Sequence, residues 1–240
     1  MANKNYIQSF YDGSLFEYSK TQKEGFVEHT NTKDKVSYRK YYNKGVEGEL
    51  LWINRKNNQF LNNREELEFV LANGEDKYYV TFPVLSSNGD EVDDFVEQIV
   101  RVLPALNKGE VININNWRMN KGDTINGDVV KYTNSGVTFK NGEGVKIDPT
   151  LSYQTTSNPK GDIPQLQWKE IAGKNRPTAA SKEGKLEFLY GILVEETDRL
   201  AYSEGGSEPT PKQEPSKPQP KTAAQAFEPA GVEYDDDLPF

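Results

Sequence analysis

The chain has 240 residues, 35% of them hydrophobic, with no cysteine and one histidine, His29. Disulfides, thiolate chemistry, histidine-rich metal sites and most catalytic triads are therefore excluded, and no apolar run reaches the roughly 20 residues that a membrane-spanning helix needs. The formal net charge of −8 excludes a uniformly basic surface of the kind that makes nucleic-acid binding obvious.

The charge is unevenly placed. Residues 203–240 carry eight acidic and three basic side chains, whereas residues 1–202 carry 29 and 26. The body is thus close to balance and leaves room for a local basic groove. The opening residues, Met1 to Tyr6, lack the apolar core of a signal peptide, so a cytoplasmic protein is expected. The length suits one good core with elaborations.

In chain order, residues 46–56 (VEGELLWINRK) read as a strand, and residues 36–42 extend or precede it. Residues 65–72 (EELEFVLA) alternate, with Leu67, Phe69 and Leu71 on one face and Glu66, Glu68 and Val70 on the other. Residues 77–84 (KYYVTFPV) place Tyr78, Val80, Phe82 and Val84 opposite Tyr79 and Thr81. Asn73-Gly74-Glu75 between them signals a hairpin. A helix follows. Asp90 is its expected N-cap, Val92, Phe95, Val96, Ile99, Val100 and Leu103 form its apolar stripe, and Pro104 and Gly109 end it. Residues 110–119 (EVININNWRM) return to strand, and residues 136–147 form a strand or hairpin turning at Asn141-Gly142.

Three strands, a helix and two strands follow the element order of an OB-fold, a five-stranded Greek-key barrel. The expected fold is therefore mainly β: an OB-fold with an additional C-terminal helix and a disordered tail. That helix covers residues 185–200, with Leu186, Leu189, Tyr190, Leu193 and Leu200 on its packed side. Gly191 costs it roughly 1 kcal/mol relative to alanine.

Beyond Tyr202 the composition changes, and seven of the thirteen prolines lie there. Such a segment buries too little apolar surface to offset its ordering entropy, so residues 203–230 read as a disordered linker. Residues 231–240 form an acidic tip. Asp235, Asp236 and Asp237 can pair with lysine or arginine on a partner, giving salt-sensitive attraction. Leu238 and Phe240 are apolar anchors, and burying a side chain like Phe contributes roughly 1.5–3 kcal/mol. Pro239 restricts the backbone and lowers the entropy lost on docking. A solvating acidic tail explains the aspartates but not the Leu-Pro-Phe after them.

This tip and its proline-rich linker resemble the protein-docking tail of single-stranded DNA-binding (SSB) proteins of bacteria and their phages. The resemblance implies an OB-fold over residues 1–202 that coats single-stranded DNA. It also implies recruitment of replication, recombination and repair proteins through the tip. The body is longer than one bacterial SSB barrel and its opening does not match that family, so a phage-type form, acting in the host cytoplasm, fits better. That departure leaves a homo-oligomer possible and the usual homotetramer in doubt. No cofactor, metal or membrane partner is expected, and no phosphate loop, zinc-ligand spacing or nucleophile motif points to an enzyme. The acid pairs Asp93–Asp94 and Glu195–Glu196 read as surface charge.

Binding single strands without sequence preference requires cations along the phosphates and aromatic rings under the bases. In OB-folds the ligand crosses strands 2–3 and two flanking loops. The first such loop is expected over residues 54–64, with Arg55, Lys56 and Arg64 around Phe60. Tyr79 stands opposite its strand's core face, either open to stacking or beneath the C-terminal helix. Trp117 shares a solvent face with Asn113 and Asn115, and Arg118 follows it. Trp52 reads as buried. Lys121, Lys131 and Tyr132 lie in the second loop, and the run from Tyr38 to Tyr42 contributes Tyr41. Trp168 and Lys169 have no assigned place. Two other functions compete: an adaptor with an SSB-like tail that binds no DNA, and a strand-annealing recombination protein.

Overall fold

The alternating segments at residues 46–83 build the middle of one large sheet, in a computed structural model that describes residues 3–31, 34–59, 63–125, 127–171 and 173–202. The strands are β1 (Lys4–Ser9), β2 (Leu15–Ser19), β3 (Val27–Thr30), β4 (Val36–Tyr41), β5 (Val46–Asn58), β6 (Arg64–Asn73) and β7 (Asp76–Pro83). After the helix α1 (Asp94–Val102) come β8 (Val111–Met119), β9 (Thr124–Ile125), β10 (Asp128–Val129) and β11 (Asn134–Asn141). Next are β12 (Trp168–Ile171), β13 (Lys174–Pro177) and the helix α2 (Ala179–Leu200). Phe60, the linker 203–230 and the tip 231–240 lie outside the described residues.

Nine strands join in the order β11-β8-β5-β6-β7-β1-β2-β4-β3. All neighbours are antiparallel except β1 and β7, which run parallel. The five strands and central helix expected from the sequence are present as β5, β6, β7, α1, β8 and β11. The OB-fold is not. A five-stranded barrel needs the outer edge of its third strand for closure, and here β1 occupies that edge of β7. The sheet continues through β2 and β4 and ends at β3, with β11 at its other end. It is therefore an open nine-stranded mixed sheet rather than a barrel.

The sheet is nevertheless strongly curved. A register shift between Leu50 and Trp52 puts an extra residue in β5, so Leu50 and Ile53 both reach the core. Such bulges bend and twist a strand. The turn after β1 consequently meets the far end of β8. Asn116 Nδ2 donates to Ser9 Oγ at 2.7 Å, and the Arg118 guanidinium donates to the Tyr11 carbonyl oxygen. These are side-chain contacts and not a strand pair.

The core lies on one face. Ile7, Ile53, Phe69 and Val80 form a row across it, joined by Phe82, Ile112, Ile114 and Phe139. Phe95, Val96, Ile99 and Val100 pack there from α1, and Leu189, Leu193 and Leu200 from α2. The cap of α1 is Asp93, which accepts from the Phe95 N–H at 2.9 Å; the expected cap Asp90 instead faces Lys182 at 3.6 Å. Asp93 is thus structural and not simply surface charge, whereas Asp94 is exposed. The helix α2 begins earlier than expected, where Thr178 Oγ1 accepts from the Ser181 N–H at 3.3 Å.

The β6–β7 hairpin turns at Gly74, whose φ is +62°, as expected. After β11 the left-handed residue is Gly144 (φ +78°) and not Gly142, because the Asn141 side chain accepts from the Glu143 and Val145 N–H groups and makes a longer turn. Lys140 and Lys146 bridge behind it.

Candidate nucleic-acid interface

Residues directly opposite one another on neighbouring strands share a face of the sheet. The pairings Trp52↔Val70, Val70↔Tyr79 and Tyr79↔Tyr6 therefore set three aromatic residues in one row across β5, β6, β7 and β1, on the face away from the core. Tyr6 is 51% exposed, and Trp52 and Tyr79 are half-buried. Tyr202, exposed at the end of α2, meets the Trp52 ring edge-on at 4.8 Å.

Cations flank this row. On one side Ala72, Lys77 and Lys4 are successive partners, and Lys77 Nζ lies 5.4 Å from the centre of the Trp52 ring. On the other side stand Lys56 and Arg64. Their charges are partly spent within the sheet: Lys56 pairs with Glu68, and Arg64 with Glu66 at 3.4 Å. Asn58 also donates to Glu66, at 3.1 Å. Both glutamates are buried, which explains the company they keep, since a buried carboxylate persists when paired and hydrogen-bonded.

The basic segment expected as a loop over residues 54–64 is mostly strand, because β5 runs to Asn58 and β6 starts at Arg64. Alternation then separates Arg55 from Lys56. Arg55 points to the core side and holds α2, donating to Thr197 Oγ1 at 3.1 Å, Tyr190 Oη at 3.2 Å and Glu65 Oε1 at 3.2 Å. Tyr79 lies on the other face, in a stack with Tyr6 and not beneath the helix.

The remaining expected residues are more scattered. Tyr41 is exposed at the β4 margin of the same face, 5.9 Å from the Phe16 ring. Trp117 is half-buried over Gly136, where an added Cβ would come 2.7 Å from the indole. Arg118 is turned toward Tyr11, its guanidinium 5.9 Å from that ring. Lys121, Lys131 and Tyr132 are exposed in the β8–β11 connection, where β9 and β10 form a small hairpin. Trp168 is exposed on the separate β12–β13 hairpin.

Beyond the aromatic row the same face deepens into a cleft of about 230 Å³, lined by Phe10, Phe16, Tyr18, Arg39, Glu66 and Asp93 among others. Burial pushes the Asp93 carboxyl up to about 6, with the neighbouring Asp94 charge adding to the rise; the Phe95 and Val96 N–H groups and Arg64 pull the other way.

Tyr6, Lys4, Lys77 and Tyr202 were not singled out by the sequence. Lys4 to Ser9 holds a single buried apolar residue, Ile7, so its period was invisible. Trp52, expected to be buried, is half-buried, and the bulge beside it mixes the two faces of its strand. Among the described residues no group of histidine, cysteine, aspartate or glutamate is placed to hold a metal, and no helix is long and apolar enough to cross a membrane. The chain matches no family model, no curated protein and no solved structure.

Proposed function

We propose that the protein binds single-stranded DNA, without sequence preference, along the aromatic row of β5, β6, β7 and β1. We propose further that it recruits proteins of replication, recombination and repair through the segment Asp235–Phe240. The observation that carries the first part is the row itself: exposed Tyr6 and half-buried Tyr79 and Trp52 on the face away from the core, with Lys77 and Lys4 along one side. Rings of this kind stack on any base, and lysines beside them neutralise phosphates without reading sequence. The second part rests on the composition of the tip, which pairs three carboxylates with two apolar anchors. The nearly balanced charge of the body makes the affinity depend on these few side chains, so it falls with salt by about 0.7 in the log–log slope for each phosphate they engage.

Trp52 makes the test direct. Oligo-dT of about thirty nucleotides, long enough for sites of this kind, quenches the tryptophan emission of the full chain, and salt weakens the effect. Duplex DNA of the same length does not compete. Deletion of residues 231–240 leaves this binding in place and abolishes co-purification of genome-maintenance proteins. If neither fluorescence nor a gel shift detects the single strand, the binding reading fails and the adaptor, in which the tip acts alone, replaces it.

A further inference from the structure

The cleft between the turn after β1 and the start of α1 holds a buried arginine. Arg39 is only 5% exposed. Its guanidinium lies 4.3 Å from the centre of the Phe16 ring and 5.5 Å from that of Phe10. Its Nε has no hydrogen-bond partner, and no ion pair engages it among the described residues. The two carboxylates that also line the cleft are committed elsewhere. Glu66 accepts from Arg64 and Asn58, and Asp93 caps α1.

An unpaired buried ion costs the free protein stability. The flanking rings offset part of that cost through cation–π attraction, but they leave the buried Nε donor without an acceptor, and the guanidinium fork lines the cleft. Those donors match the geometry of a phosphate group, which arginine recognises in bidentate fashion. The position matters as much as the chemistry. Gln8 and Phe16, which line the cleft, are the β1 and β2 members of the row next to Trp52, Val70, Tyr79 and Tyr6. A strand laid across the aromatic row therefore runs into the cleft.

We infer that this cleft is a phosphate pocket, in which the buried Arg39 guanidinium takes a phosphodiester of the bound strand and the ligand supplies the missing counterion. The phosphodiester source rests on the single-strand reading above; the pocket itself rests on Arg39.

The test compares full-length wild type with Arg39→Met and Arg39→Lys. In the absence of ligand, Arg39→Met raises the Tm by about 2–4 °C, because a buried unpaired charge is replaced by an apolar side chain of similar reach. The same change weakens oligo-dT binding about tenfold or more. It also makes the log–log salt dependence shallower by about 0.7, the amount for one phosphate of a single strand. Arg39→Lys keeps the slope and recovers part of the affinity. On the wild type alone, dTMP binds where thymidine does not, and inorganic phosphate displaces dTMP.

A lowered Tm with an unchanged salt slope makes Arg39 a packing cation and overturns the pocket, while oligo-dT binding keeps the single-strand reading intact. Should Arg39→Met fail to fold, equal binding of dTMP and thymidine by the wild type overturns the pocket without it. If oligo-dT does not bind but dTMP binds through Arg39, the single-strand reading falls and the pocket serves a free nucleotide.

Discussion

Tyr6 and Tyr79 stack across the parallel β1–β7 pair, their ring centres 4.9 Å apart and their planes 23° from parallel. Each ring holds the other in place, so the outer face of Tyr6 is a preorganised platform and little side-chain entropy remains to be lost on contact. Tyr6→Ala is expected to weaken oligo-dT binding by about 5- to 150-fold, corresponding to roughly 1–3 kcal/mol for one stacked base. Tyr6→Phe should retain most of the affinity, because the ring does the stacking. Fluorescence anisotropy with a labelled oligonucleotide reads both, and equal affinity for all three proteins would remove Tyr6 from the interface.

Arg55 and Lys56 are neighbours in sequence and stand on opposite faces of β5. Arg55 bridges Thr197, Tyr190 and Glu65, tying α2 to the sheet. Arg55→Ala leaves the Glu65 carboxylate with only the tyrosine hydroxyl and should destabilise the fold by about 2 kcal/mol. The folded fraction should still bind oligo-dT normally. A melt that matches wild type would show that α2 docks without this bridge.

Lys56 is held by the buried Glu68 carboxylate, with 9% of the Glu68 side chain exposed. That carboxylate competes with any phosphate for the same ammonium. Glu68→Gln removes the competitor and keeps a hydrogen-bond acceptor. Oligo-dT binding should tighten a few-fold, and the salt dependence should steepen by about 0.7 as one more phosphate is engaged. Weaker binding by this variant would mean that Lys56 does not contact the strand.

Arg55 and Lys56 mark the limit of what the sequence makes legible. The alternation of residues 65–72 and 77–84 was plain, because each strand has one core face; so was the helical stripe from Phe95 to Val100. Arg55, Lys56 and Arg64 formed a visible basic cluster, but strand parity decides which of them share a face. The bulge at Leu50/Trp52 changes that parity through backbone geometry, and side-chain type does not record it. The parallel docking of β1 on β7 was equally hidden. It joins residues more than 70 positions apart through a strand with one buried apolar side chain, and it is what turned an expected barrel into an open sheet. Arg39 lies within the Tyr38–Tyr42 run, yet nothing in that run says that its Nε is buried without a hydrogen-bond partner.

Two glycines test the packing in opposite directions. Gly191 sits in the middle of α2 with nothing within 4 Å of an added Cβ. Gly191→Ala should therefore stabilise the protein by about 0.5–1 kcal/mol through the helix propensity of alanine. Gly48 sits in β5 against β6, where a Cβ would come 2.6 Å from the Ala72 carbonyl oxygen. A backbone atom in a central strand cannot move aside cheaply, so Gly48→Ala should cost about 1–3 kcal/mol. Chemical denaturation of both variants, with m-values matching wild type, checks the pair.

Asp93 should make stability fall as pH rises. Its ordinary value is 3.8, and burial lifts it to about 6 in the folded protein. Between those values the folded state binds the proton and the unfolded state has released it. The group's contribution is therefore fully present below about pH 4 and is lost as pH rises through 6. Asp93→Asn keeps the side-chain oxygen that accepts from the Phe95 N–H, so the cap survives and the titration disappears. Its Tm should exceed that of wild type at pH 7, and the difference should shrink toward pH 4.5. Asp93→Ala, which loses the cap acceptor, should lie below Asp93→Asn throughout, by about 1 kcal/mol. Taking the difference between wild type and Asp93→Asn cancels the titration of the other carboxylates. A difference that stayed constant from pH 4.5 to 7 would mean that the Asp93 carboxyl ionises as if in water, and that the cleft it shares with Arg39 is wetter than its lining implies.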